Sequence, residues 1–301
     1  MPNLKALLID NLLSKNYALA TLSSEFWFRR QLRGKNPLFI YQMGKVGSTT
    51  LLDTLHPLLP QTQLYHLHVL SDAGIRQEDQ NYYGGQPTLF SKSRLPAAKH
   101  LFESKFIRKQ MARGLTGIKI ITLCRDPVGR EVSAFFQRNL PDERFRQRLG
   151  DPAQVPGVVE DFWRGNEFAF ALNWFDRELK AVFGFDVYAH PFPHEQGYGI
   201  YEQNGVGILV IKMEALNVCF QPALKEFLGV GVPALKQANV TKAKGYQELQ
   251  TAFLNALTFS PEFLDEIYNS KYATHFYTEA ERQAFRARWT ENESKRVRGT
   301  N

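Results

Sequence analysis

The chain has 301 residues, 44% apolar and 13% aromatic with 23 Phe, enough for one sizeable core and too apolar for a disordered or low-complexity protein. A formal charge of +7 and a pI near 9.3 point to an anionic partner: nucleic acid, a phosphorylated cofactor, an acidic glycan or a membrane surface. Only Cys124 and Cys219 are present, too few for a disulfide scaffold and wrongly spaced for zinc, which favours a reducing compartment, the cytoplasm.

In chain order, Lys5, Asp10, Lys15 and Glu25 interrupt any secretory or spanning run, while Leu4, Leu7, Leu8, Leu12 and Leu13 fall at helical spacing. Residues 1–36 therefore read as a helical extension packed on a single domain of residues 37–301, with membrane contact at most peripheral. "PLFIYQM" reads as a buried strand and "STTLLDTLH" as a helix opened by hydroxyl residues suited to capping. "TQLYHLHVL" alternates as a second strand, followed by a polar stretch to about residue 93 and a basic helix over "LPAAKHLFESKFIRKQMARG". "GIKIITLCR" is a third strand, and Asp126 and Pro127 open the helix "PVGREVSAFFQRN".

Three prolines and alternating charge predict a surface loop over residues 140–157. "VVEDFWRGNEFAFALNWFDRELKAVFG" reads as one long amphipathic helix, "VGILVIKME" as another buried strand, and the remainder as mostly helical. Strands alternating with helices predict an α/β fold of three layers around a central, mainly parallel sheet.

The stretch "YQMGKVGSTT" combines two glycines, a lysine and three hydroxylated residues between a strand and a helix. Backbone amides from about Gly47 to Thr50 would face an anion there, with Lys45 adding a point charge. Lysine precedes the second glycine instead of following it, so the nucleoside triphosphatase spacing GxxxxGK[ST] is not met. The second stretch, "TLCRDPVGREVSAFFQ", also ends a strand and enters a helix, with Arg125 offering a fork suited to a phosphate monoester and Ser133 two turns further on. The plainer reading is that Arg125 and Arg130 merely pair with Asp126 and Glu131 at the surface.

The order GKxGSTT resembles the 5′-phosphosulfate loop of sulfotransferases that use 3′-phosphoadenosine-5′-phosphosulfate (PAPS), and RDPxxRxxSxF resembles their 3′-phosphate segment, matched at every one of those positions. A narrower resemblance, carried by "QMGKVGSTTL", "YHLHVL", "CRDPVGREVSAFFQ", "NWFDRE" and "YNSKYATHFYT", is to a bacterial sulfotransferase group described as putative capsular polysaccharide synthesis proteins. The resemblance implies a P-loop sulfotransferase architecture in which Lys45, Val46, Gly47, Ser48, Thr49 and Thr50 cradle the phosphosulfate and Arg125 and Ser133 hold the 3′-phosphate. It implies PAPS as donor, 3′,5′-adenosine bisphosphate as product and a carbohydrate hydroxyl as acceptor, with no nucleic-acid partner. The family's C-terminal RxGxxGxWK is missing; "ANVTKAKGY" is the nearest basic, hydroxyl-bearing stretch.

In-line sulfuryl transfer needs a base for the acceptor proton, positive charge at the departing oxygen and a rigid cradle. Lys45 fits the second need. His66 and His68 share one face of a strand, and an imidazole of ordinary pKa near 6.5 suits proton acceptance at neutral pH. "YHLHVL" is similar to the paired-histidine strand of glycan 2-O-sulfotransferases, which implies His68 as base and His66 as support. Trp174 and Phe175 read as core, with Asn173 and Asp176 as candidate acceptor contacts, and His56, His100, His190 and His194 as surface or loop residues. No HExxH, paired Cys or compact Asp cluster is present, so no metal is expected. The rival classes are a P-loop kinase or nucleotidase and a non-catalytic anionic-glycan binder on a degenerate scaffold.

Overall fold

The first strand, β1 (Pro37–Tyr41), is five residues long and buried throughout, as befits the middle of a parallel sheet covered on both faces. β2 (Gln63–Leu67) pairs with it on one side and β3 (Lys119–Cys124) on the other, both parallel. β5 (Val206–Lys212) continues the sheet parallel to β3, and β4 (Tyr198–Gln203) closes its edge antiparallel, giving the order β2-β1-β3-β5-β4. The structure, a computed structural model, describes Phe26 and residues 36–83, 95–166, 168–231 and 244–290. The expected helical extension over 1–36, except Phe26 and Asn36, lies outside the described residues, as do 238–243 of "ANVTKAKGY".

The chain leaves β1 through α1 (Ser48–Leu55) to reach β2, then returns through α2 (Asp72–Tyr83) and α3 (Leu95–Met111) to β3 on the far side of β1. This reversal of direction makes the gap beyond the ends of β1 and β3 the topological switch point, where parallel α/β sheets hold ligands. α4 (Pro127–Asn139) follows β3 directly, with the bounds its sequence predicts. The α/β class and mainly parallel sheet are as expected; Phe39, Ile40, Ile120, Ile121, Leu209 and Val210 form its dry centre.

Two expectations need correction. Residues 140–157 are not one loop: α5 (Glu143–Gly150) forms there, capped by the Asp142 carboxylate accepting from Arg144 N at 2.9 Å. Pro156 lies in the first turn of α6 (Val155–Gly165), where a proline costs nothing. The long helix is broken at Asn166, whose extended backbone separates α6 from α7 (Phe168–Trp174); α7 then runs through a π-helical turn (Phe175–Lys180) into Ala181–Phe183. β4 was unforeseen, although Asn204-Gly205, both at positive φ, is the turn chemistry of a two-residue hairpin.

After β5 come α8 (Leu216–Leu228), α9 (Lys244–Ala256), α10 (Pro261–Tyr268), α11 (Lys271–Phe276) and α12 (Glu279–Thr290). Among the described residues, no helix is long and apolar enough to cross a membrane.

Candidate functional site at the ends of β1 and β3

The loop leaving β1 turns through Lys45, a non-glycine residue at φ 70°, and Gly47 at φ 93°, which caps α1. A left-handed lysine costs on the order of 1 kcal/mol, a strain that marks a loop shaped by its surroundings. Val46 is buried in the core, so its side chain anchors the turn and leaves only its backbone to a ligand. Ser48, Thr49 and Thr50 form the first turn of α1; their side chains lie outside the described residues.

Two arginines hold this loop from the β3 side. Arg125 Nη1 donates to the Lys45 carbonyl at 2.7 Å, and Arg130 Nε donates to the Gly44 carbonyl at 3.2 Å. Lys45 Nζ reaches Gln137 Oε1 on α4. Arg130, Ser133 and Gln137 are spaced by three and four residues, so Ser133 shares the stripe of α4 that faces the loop. Lys45 has its pKa lowered by burial, then by the charges of Arg125 and Arg130. Three cations around one loop, with amides of a helix start beside them, form an electropositive cradle. Of the expected surface pairs, Arg130 does meet Glu131, but Arg125 is turned onto the loop.

Asp126 serves the fold. It is buried, accepts from Val128 N and Gly129 N at 3.1 Å each as the cap of α4, and takes further bonds from Tyr268 Oη at 2.7 Å and Trp289 Nε1 at 2.9 Å. Gly129 permits this, since a Cβ there would stand 2.8 Å from Asp126 Oδ2.

His66 and His68 do share a face, their ring centroids 4.6 Å apart. His68 abuts the loop: a Cβ on Gly44 would lie 3.7 Å from His68 Cε1. Its Nδ1 lies 3.0 Å from the Gln42 carbonyl, which can only accept, so Nδ1 carries the hydrogen and Nε2 the lone pair. Its pKa is lowered to about 4, by burial first and then by His100, Arg130 and Lys45; this replaces the ordinary value expected from the sequence and leaves a neutral, weaker base. His100 is no stray surface residue: it projects from α3 to within 4.8 Å of the His66 ring and 5.2 Å of the His68 ring, centroid to centroid.

Sequence reasoning missed the groups that hold this constellation in place. Glu178, in the π turn, is buried and accepts from Tyr41 Oη at 2.6 Å, Leu70 N at 2.7 Å, Ser71 N at 2.8 Å and Ser71 Oγ at 2.7 Å, tying the ends of β1 and β2 together. Trp174 is core as expected, yet its Nε1 donates to the His68 carbonyl at 3.0 Å. Asn173 donates to Ala169 O within its helix and Asp176 pairs with Lys271. Tyr272 brackets Arg125: its hydroxyl accepts from Arg125 N and donates to Arg125 O, both at 2.9 Å. Tyr277 donates to Glu214 Oε2 at 3.1 Å while Glu214 Oε1 accepts from Asp126 N at 2.8 Å. The signal available was the polar-aromatic density of "NWFDRE" and "YNSKYATHFYT".

The NKWYS family model, described as "Putative capsular polysaccharide synthesis protein", matches residues 158–278. The chain is thus similar to a capsular polysaccharide synthesis family over the stretch that carries Trp174, Glu178, Tyr268, Tyr272 and Tyr277, while the loop after β1 and Arg125 precede it. No curated protein and no solved structure matches the chain.

Proposed function

We propose that this chain is a PAPS-dependent sulfotransferase acting in a reducing compartment, the cytoplasm, on a hydroxyl of a capsule-type carbohydrate. The observation that supports it best is the meeting of two strand-to-helix segments at the switch point, where Arg125 Nη1 bonds the carbonyl of Lys45. In this reading the amides from Val46 through Thr50 receive the 5′-phosphosulfate, and Arg125 with Ser133 receives the 3′-phosphate. The S–O bond to the 5′-phosphate breaks as the acceptor oxygen bonds sulfur. Charge then grows on the departing phosphate oxygen, where Lys45 offsets it. The acceptor proton passes to Nε2 of His68, with His66 orienting that ring. The likeness to a capsular polysaccharide synthesis family supports the acceptor class. A kinase reading lacks a lysine directly before the helix, because Val46 and Gly47 intervene.

The test is ligand-dependent thermal stabilisation followed by transfer. At about 100 times its dissociation constant, 3′,5′-adenosine bisphosphate should add roughly 2.7 kcal/mol of stability. Labelled sulfate should then move from PAPS to polysaccharide. Preference for ATP·Mg²⁺ over the bisphosphate overturns the reading in favour of a kinase or nucleotidase. Salt-sensitive glycan binding without transfer leaves only the non-catalytic binder.

A further inference from the structure

His66 and His68 occupy alternate positions at the end of β2, and α3 packs on that strand so that His100 faces both. One ring nitrogen from each of the three lies within 4.8 Å of those from the other two. In two of the rings Nδ1 is committed to a backbone carbonyl: His68 Nδ1 to Gln42 O at 3.0 Å and His100 Nδ1 to His66 O at 2.9 Å. A carbonyl only accepts, so in both rings the hydrogen sits on Nδ1 and the lone pair on Nε2. Metal-ligating histidines show this pattern, the outer N–H bond fixing tautomer and ring orientation. Glu103 Oε2, 3.8 Å from His100 Nδ1, adds negative charge behind that ring.

We propose that His66, His68 and His100 form a binding site for one divalent cation of zinc-like softness. Imidazole donors alone select zinc, cobalt, nickel or copper over calcium and magnesium, which take oxygen ligands. Three histidines leave a fourth position open, as in zinc sites that exchange water or substrate. His66 and His68 share a strand face and His100 lies across from them, so the three imidazoles converge on one point, where a metal would draw the nitrogens in to about 2.0–2.1 Å. The charges of Arg130 and Lys45, which act on His68, would oppose the cation and weaken its binding without supplying ligands. The cation would occupy the Nε2 lone pair assigned above to proton acceptance. Zinc should therefore inhibit sulfuryl transfer, and a chelator should restore it. That consequence rests on the sulfotransferase reading, whereas the binding itself does not.

The experiment titrates chelator-treated, full-length protein with Zn²⁺ against a chromophoric competitor, and with Co²⁺ while recording visible ligand-field absorption. One equivalent per chain is expected. His100→Asn keeps a donor for the His66 carbonyl but supplies no Nε2 ligand; it should weaken zinc roughly a hundredfold and abolish the cobalt bands. His68→Ala should do the same. Absence of stoichiometric uptake by the wild type overturns the site, as does unchanged uptake by a folded His100→Asn, with the fold verified by circular dichroism and melting without metal. Should neither variant fold, zinc must still raise the wild-type melting temperature while Mg²⁺ does not, or the site falls. Stabilisation by 3′,5′-adenosine bisphosphate without zinc binding rejects this site and leaves the proposed function standing. Zinc binding without bisphosphate binding does the reverse.

Discussion

Lys45 belongs to the loop after β1 and Arg125 holds that loop through the Lys45 carbonyl, and the two should fail in different ways when removed. In the proposed reaction the 3′-phosphate is remote from the sulfur, so Arg125→Ala should raise the KM for PAPS more than it changes kcat. Lys45→Ala should lower kcat by on the order of a hundredfold or more, because the charge it meets grows in the transition state. Steady-state kinetics on both variants separates the roles, and equal effects on KM and kcat would undo the assignment. His68→Ala should lose about a hundredfold or more in rate while still binding the bisphosphate, and His66→Ala should lose less. Near-native turnover in His68→Ala would send the search for a base to a cleft carboxylate. Gly129→Ala is a structural control. Its new Cβ would stand 2.8 Å from Asp126 Oδ2 and disturb the cap of α4, which should cost about 1–2 kcal/mol in urea denaturation.

The π turn of α7 and the short helix α11 act as clamps on the strand ends. In the π turn, Glu178 gathers four donors from β1 and the β2 exit, and one turn earlier Trp174 holds the His68 carbonyl. π turns recur at functional sites, and this one presents the Glu178 carboxylate to the ends of β1 and β2. Burial, then the charge of Glu178, raises the Tyr41 pKa well above its ordinary value, so the phenol stays a donor. Glu178→Gln should cost about 2–4 kcal/mol, since an amide NH₂ replaces one acceptor oxygen among donors that have no water to turn to. Tyr272→Phe removes the hydroxyl that brackets Arg125 and should cost about 1–3 kcal/mol. If α11 positions the arginine, the same variant should raise the KM for PAPS with little change in kcat. A stability loss with unchanged kinetics would confine Tyr272 to the fold.

For the molecule as a whole, His275 links stability to pH. Burial, then the charges of His194 and Lys271, lowers its pKa to about 4, with Asp186 opposing. The unfolded chain binds a proton near 6.5 that the folded chain refuses, so the unfolded state is favoured progressively as pH falls from about 6.5 toward 4. Melting curves should show wild-type stability falling across that window and a shallower fall in His275→Gln. Parallel curves would mean that His275 does not carry the effect. Much of the architecture was legible beforehand. β1, β2, β3 and β5 are apolar runs between turn signals, and α4 is framed by Asp126 and Pro127 at its start. The break between α6 and α7 was signalled only weakly, by Gly165-Asn166, a pair that commonly ends helices, and the packing of Phe162, Trp163 and Phe168 around Phe259 and Phe263 accompanies the bend.

The strand-to-helix junctions at Gly47 and Asp126, the shared face of His66 and His68, and the mainly parallel sheet are readable from the residues alone, since each follows from period, turn chemistry or spacing among near neighbours. Which groups meet depends on the assembled fold. The order β2-β1-β3 brings the Arg125 and Lys45 segments together, the crossover through α3 delivers His100 to His66 and His68, and the return of the C-terminal helices sets Tyr268 and Trp289 on Asp126. Glu178 reaches Leu70 across 108 residues of chain. Such partners are chosen by sheet order and helix crossover, which depend on how the whole apolar surface is buried, and no local pattern around Glu178 or His100 contains that choice.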